Sequence, residues 1–251
     1  MKNKENWKPT KFIYKKGKLR ASRDEKQVSY SSRLVADLIG RFYDSVLKKY
    51  AKGNLLDLGC GNVPLYDAYN SFVIDNICVD WGNSFHRNEF LDMKADLNKT
   101  LEISDNRFDT IVLSDVLEHI KEPKLLWNEM YRILKNNGVL IMNVPFFYWL
   151  HEEPYDYYRY TKYSLRVMAE ESGFEVVEIN PLGGAPEILT DITAKTIRMI
   201  PLIGKPISII IQKLTWLFIN SRVGNKISKL TCDKFPVGYG LIAKKKIHNK
   251  N

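Results

Sequence analysis

Between residues 54 and 145 one arrangement recurs. A short apolar run of strand length stops at an acidic residue, a glycine or a proline, and a turn or a helical spacing follows. The runs are NLLDLGCGN (54–62), SFVIDNICVD ending at Asp80, EFLDMKADL ending near Asp96, RFDTIVLSD ending near Asp115, and GVLIMNVPF, which passes through Pro145. Apolar residues at Leu34, Val35, Leu38, Ile39, Phe42, Val46 and Leu47 predict a helix before the first run, stopped by Gly53. Leu125, Leu126, Met130, Ile133 and Leu134 predict another after Pro123, closed by Asn137-Gly138. SLRVMAEESGF reads as a further helix, FEVVEIN as a sixth strand and YGLIAKKK as the last. Strands alternating with helices imply an α/β fold with a mostly parallel sheet covered on both faces. Ligands of such sheets bind beyond the carboxyl ends of the strands. Asp57, Gly59, Gly61, Asp80, Asp96, Asp115 and Pro145 therefore converge on one edge.

Composition narrows the classes. The 251 residues are 45% hydrophobic and 27% charged, which excludes disordered, collagenous and low-complexity chains. Cys60, Cys78 and Cys232 cannot all pair, and their number and spacing argue against a disulfide framework and a zinc site. No metal is expected, and a reducing cytoplasm fits best. MKNKENWKPTKF has no apolar core of signal-peptide length, and no run of 18 uninterrupted apolar residues occurs. The net charge of +9 is uneven: residues 1–26 carry +7, residues 192–234 carry +7, the tail 235–251 carries +4, and residues 27–191 hold −9. Positive charge thus lies in appendages around an acidic centre. DNA is not expected as a partner, and RNA is disfavoured.

Gly59 and Gly61 bracket the turn after the first strand, where glycine lets backbone pass close to a ligand. A dinucleotide fingerprint would need a third glycine at Pro64, and no Gly-Lys-Ser/Thr follows for a Walker loop. Asp57 would repel a phosphate and attract a cation. Asp80 is placed to accept from both ribose hydroxyls, and Asp96 to face an adenine amino group. An acid, a ribose and an adenine without a phosphate requirement describe S-adenosylmethionine. Asp57 or Asp80 alone would also serve as a turn cap.

The chain resembles the class I S-adenosylmethionine-dependent methyltransferases of the type 11 group. The matching residues are Leu55–Asn62, the ICVD ending at Asp80, Ala95–Leu97, FDTIVLSDVLEHI (108–120), RILKNNGVLIMNVP (132–145) and SGFEVVEI (172–179). The resemblance implies a Rossmann-like seven-stranded sheet with helices on both faces. It implies that Gly59 and Gly61 pass under the methionine part, Asp57 orients its amino group, Asp80 holds the ribose, and Asp96 and Leu97 frame the adenine. Ser114, Asp115 and Val116 line the methionine and acceptor side. With Cys60 and Trp81 these form the expected cofactor-binding set. Val63 departs from the pattern, because many members have a third glycine there. Glu118 and His119 recur across members with many acceptors, which suggests a structural or cofactor-side role.

The acceptor side is expected in PFFYWLHEEPYDYYRYT (145–161), a loop that must lie over the carboxyl edge. His151 is the candidate base and Asp156 its orienting partner. Their alternative role is to hold the loop, with Arg159 pairing a carboxylate. His-x-x-Pro-x-Asp-Tyr-x-Arg-Tyr-Thr (151–161) is similar to methyltransferases associated with surface-glycan genes, which implies a sugar, glycolipid or other small or lipid-linked acceptor. RNA methylation and a non-catalytic cofactor-binding module are the alternatives. The expected organisation is a basic arm (1–32), a methyltransferase core (33–182), a helical insertion (183–234), and a last core strand with a basic tail (235–251). In the insertion, Pro206 is expected to start a helix with a narrow polar stripe at Ser208, Gln212 and Thr215. The apolar remainder suits a lid, a dimer contact or a peripheral membrane contact through 200–230.

Overall fold

The computed structural model describes residues 1–82 and 89–246; the end of the basic tail, including Lys250, lies outside them. The first element is a hairpin, β1 (Phe12–Lys15) and β2 (Lys18–Ala21). Lys16 and Gly17 turn it, both at positive φ, as the tightest two-residue hairpins require. Phe12, Leu19 and Ala21 are buried against α1 (Arg33–Tyr50), whose apolar stripe matches the sequence spacing. Then follow β3 (Asn54–Leu58), the short α2 (Tyr66–Tyr69), β4 (Asp75–Asp80), β5 (Met93–Lys94), β6 (Phe108–Ser114), α3 (Pro123–Ile133) and β7 (Leu134–Pro145). The chain continues through α4 (Lys162–Glu171), β8 (Phe174–Leu182), α5 (Ala185–Ile197), α6 (Gly204–Ile219), α7 (Arg222–Thr231) and β9 (Gly238–Lys245).

The seven-stranded sheet has the order β5-β4-β3-β6-β7-β9-β8. All pairings are parallel except those of β9, which runs antiparallel to β7 and β8. From β3 the chain steps outward to β4 and β5, then returns to β6 on the other side. That reversal opens a crevice at the carboxyl ends of β3 and β6. Leu56, Ile111 and Leu140 face a core closed by Trp127 of α3, while Leu55, Val112 and Ile141 face a second core under α1. This is the α/β, Rossmann-like architecture that the alternation implies.

Two elements differ from the spacing. The third strand shrinks to Met93–Lys94, because it lies at the sheet edge and Asp92 turns its carboxylate back to accept from Cys78 N at 2.7 Å. Helix α3 stops at Ile133, and Leu134 pairs with Phe108 instead of completing the helical stripe.

The insertion places its polar stripe inward. Ser208 and Gln212 of α6 are buried, and Gln212 Oε1 accepts from Leu34 N at 3.0 Å while its amide donates to Tyr30 O. An unpaired N–H in the first turn of α1 is thereby satisfied from a helix far along the chain. Thr215 meets Thr190 of α5 at 2.6 Å. Ile210, Leu214, Leu217 and Phe218 face outward, joined by Leu202, which is 98% exposed. No helix among the described residues is long and apolar enough to cross a membrane.

Candidate functional site

The turn after β3 is fixed from the neighbouring strand. Gly59 N and Cys60 N both donate to Val79 O (2.7 and 3.1 Å), and Gly61 N donates to Asp80 Oδ2 at 3.1 Å. Gly59 has φ +70°, and a Cβ there would lie 2.5 Å from Val116 Cγ2. Val63 holds φ +49° although it is β-branched and fully buried. The backbone thus keeps a glycine-like conformation where the glycine is missing.

Beyond this turn lies a cavity of about 460 Å³. Gly59, Cys60 and Gly61 form one wall; Asp80, Trp81, Asp96 and Leu97 another; Ser114 and Asp115 a third. Asp80 accepts from Trp81 N at 2.7 Å, and Asp96 is oriented by Asn98 N at 3.0 Å. Trp81 and Tyr155 meet edge to face with centroids 5.3 Å apart, and Tyr155 and Tyr157 line the same cavity. Asp57 does not line it. Asp57 is 3% exposed beneath the turn, its Oδ2 accepting from Tyr69 OH at 3.0 Å. Burial pushes its carboxyl up to about 7 against the pull of the Tyr69 bond, and Asp80 adds to the rise.

A second cavity of about 230 Å³ adjoins the first, and both are lined by Lys11, Gln27, Asp115 and Glu152. Its walls include Val28, Val35, Ile39, Leu182 and Val237, with Tyr148 and His151 on the polar side. Lys11 reaches over from the N-terminal arm to pair with Asp115 at 2.8 Å. Burial opposes charge on Lys11, but the charge and hydrogen bond of Asp115 outweigh it, and the ammonium pKa is raised. Asp115 sits at φ +52° and accepts from Asn143 Nδ2 at 2.5 Å; Asn143 in turn accepts from Tyr43 OH at 2.7 Å and Ser114 Oγ at 3.0 Å. Trp7 and Thr10 fasten the arm to the glycine turn by donating to Val63 O and Asn62 O.

The acceptor-side loop brings His151 and Asp156 together. His151 Nδ1 lies 3.1 Å from Asp156 Oδ2 without forming a hydrogen bond, and Asp156 Oδ2 accepts from His151 N at 3.0 Å. Arg159 grips both oxygens of Asp156, at 2.5 and 2.7 Å. Asp156 feels burial, but the Arg159 and His151 bonds outweigh it and hold the carboxyl at about 2. His151 Nε2 points to Glu118, 3.7 Å away, and not only to the cavity. The insertion touches this side too: Lys195 of α5 stands 3.4 Å from the Tyr148 ring centroid and pairs with Asp191 at 2.6 Å. Burial lowers the Lys195 ammonium to about 8, and Asp191 limits the fall.

Lys11, Gln27, Asn143 and Glu152 are site residues that the sequence reading did not single out. Asn143 carried a signal, being a lone polar residue inside an apolar strand. Lys11 carried none, as one of many basic residues in the arm.

The cavity fits S-adenosylmethionine: a glycine turn where a Cβ would collide, acids at the ribose and adenine ends, and an acidic wall for a cation. A family model described as a methyltransferase domain (Methyltransf_23) matches residues 28–179, well over half of the chain. No curated protein matches the chain in sequence. Among solved structures, the chain is similar to an S-adenosylmethionine-dependent methyltransferase from Archaeoglobus fulgidus, with 21% identity, a TM-score of 0.55, and coverage of 88% of this chain and 97% of that one. It is also similar to the [4+2]-cyclase SpnF, with 18% identity, a TM-score of 0.53, and 86% and 82% covered. A third is a phosphoethanolamine N-methyltransferase from Haemonchus contortus, in complex with phosphomonomethylethanolamine and S-adenosylhomocysteine, with 15% identity, a TM-score of 0.51, and 89% and 59% covered. At these identities the likenesses speak for the fold, while the family model speaks for the kinship. The chain belongs to the class I S-adenosylmethionine-dependent methyltransferases.

Proposed function

We propose that this methyltransferase O-methylates a lipid-linked acceptor, a glycolipid or lipid-borne sugar, while seated on an anionic membrane surface. When bound, S-adenosylmethionine supplies a methyl group on a cationic sulfonium. The protein supplies alignment and exclusion of water. Gly59, Cys60, Gly61, Asp80, Trp81, Asp96, Leu97, Ser114 and Asp115 hold the cofactor in the larger cavity. Asp57 supports the turn from beneath. His151, steadied by Asp156, activates the acceptor hydroxyl from the smaller one.

One observation carries the lipid-linked reading. The smaller cavity is walled by Leu182 and Val237, the residues that root the insertion at either end, and the insertion turns its apolar face outward. Lys205, Lys213, Lys226 and Lys229 are exposed on the same helices, as anionic lipid would favour. The acidic centre argues against a nucleic-acid groove.

Sedimentation with vesicles tests the surface, comparing phosphatidylglycerol with phosphatidylcholine. Binding to the anionic vesicles is expected, and its loss in Leu214→Glu/Leu217→Glu. Methyl transfer from labelled cofactor is then compared on lipid-linked sugars and on RNA. Transfer to RNA, or no preference for anionic vesicles, would overturn the proposal.

A further inference from the structure

Glu118 is fully buried, and neither of its carboxylate oxygens has a hydrogen-bond partner. Such a group is costly to leave unsatisfied. It is aimed at two imidazoles: His151 Nε2 lies 3.7 Å and His119 Nε2 3.8 Å from Glu118 Oε1. One donor atom from each of the three residues can be chosen so that all lie within 4.8 Å of one another. Glu152 Oε2 stands 3.9 Å from His119 Nε2. These separations are too long for hydrogen bonds. They approach the spacing of two ligands on one ion, about 3.3 Å for a tetrahedral site with bonds of 2.0–2.1 Å. Closing the widest pair from 4.8 Å to that spacing, by about 1.5 Å, and the two Glu118 pairs by about half an ångström would seat a cation.

The far side of the His119 ring is held as metal-bound imidazoles are held. His119 Nδ1 is 2.8 Å from Tyr155 O. A carbonyl only accepts, so Nδ1 carries the hydrogen and a neutral ring presents its Nε2 lone pair to Glu118. His151 Nδ1 lies 3.1 Å from Asp156 Oδ2, which Arg159 fixes, but without the alignment of a hydrogen bond. Two imidazoles and one or two carboxylates suit zinc, cobalt or manganese better than magnesium or calcium.

We propose that Glu118, His119 and His151, with Glu152 as a fourth donor, bind a first-row divalent cation on the partition between the two cavities. His119 lines the cofactor cavity, His151 the acceptor cavity, and Glu152 both. A cation held there would lower the pKa of a bound acceptor hydroxyl, so that its proton would pass to water before the methyl is transferred and His151 would act through the ion. That role rests on the O-methylation reading; the binding site does not. The scarcity of cysteine, which discouraged a zinc site in the sequence, has no bearing on a histidine–carboxylate donor set.

The test uses the full chain, treated with a chelator and desalted, and titrated with Co²⁺ under visible absorption, followed by displacement with Zn²⁺. One Co²⁺ per chain is expected, displaced by one Zn²⁺. His119→Ala and His151→Ala should each weaken Zn²⁺ binding at least tenfold, and Cys232→Ser, at the end of α7, should not. Circular dichroism checks that each variant is folded. No stoichiometric uptake, or uptake unchanged in both His119→Ala and His151→Ala, overturns the site. Calorimetry with S-adenosylmethionine on the chelated protein reads the family assignment separately. Cofactor binding without cation uptake rejects the cation site alone.

Discussion

Asp57 offers a quantitative test of how the glycine turn is supported. Its carboxyl is buried under the turn and titrates near 7, against an ordinary value of 3.8. The native chain therefore keeps a proton that the unfolded chain releases at lower pH. The group's contribution is fully present below about pH 4 and is lost as pH rises from there through 7. At about 1.4 kcal/mol per unit the whole loss is about 4 kcal/mol, of which about 3 kcal/mol falls between pH 5 and 8. Asp57→Asn keeps the shape and removes the titration. Tyr69, pushed up by burial, does not titrate over this interval, and Asp80 is common to both proteins. Urea unfolding of wild type and variant without cofactor, at pH 5, 6.5 and 8, should show the variant gaining about 3 kcal/mol on the wild type across the series. Parallel pH profiles for the two proteins would refute the argument. They would mean that Asp57 ionises freely, with water or a cation reaching beneath the turn.

Two further outcomes are expected. Gly59→Ala meets both a left-handed backbone, about 1–2 kcal/mol, and a Cβ 2.5 Å from Val116, about 1–3 kcal/mol of overpacking. Calorimetry should show its S-adenosylmethionine affinity falling at least tenfold, and wild-type affinity would contradict the geometry. Gln212→Leu strips Leu34 N of its acceptor and Tyr30 O of its donor, at about 1–3 kcal/mol for each buried group left unpaired; a melting temperature unchanged by this substitution would show that the contact carries nothing.

The walls of the larger cavity could be read locally. Gly59, Gly61, Asp80, Asp96 and Asp115 stand at or just past the ends of β3, β4, β5 and β6, which the sheet brings together, whereas Asp57 lies within β3 and is buried beneath the turn. The contacts that close the site join residues far apart in the chain. Lys11 meets Asp115, Gln212 meets Leu34, and His151 faces Glu118. No periodicity marks such pairs. The orientation of α6 was hidden for a different reason. A narrow polar stripe on an apolar helix ordinarily faces solvent, but here it serves the first turn of α1, and only tertiary structure decides that. The third strand was faint because edge position leaves it little apolar surface to bury.

The arm that carries Lys11 has a kinetic consequence. Trp7, Thr10 and Lys11 clasp the glycine turn and Asp115, and the same lysine walls both cavities. Lifting the arm would therefore open both chambers in one movement. Spent cofactor and methylated product would leave through a shared gate, on a clock set by how often the clasp releases. Because one of the ties is an ion pair, that clock should run faster in salt, even where the chemistry inside stays the same.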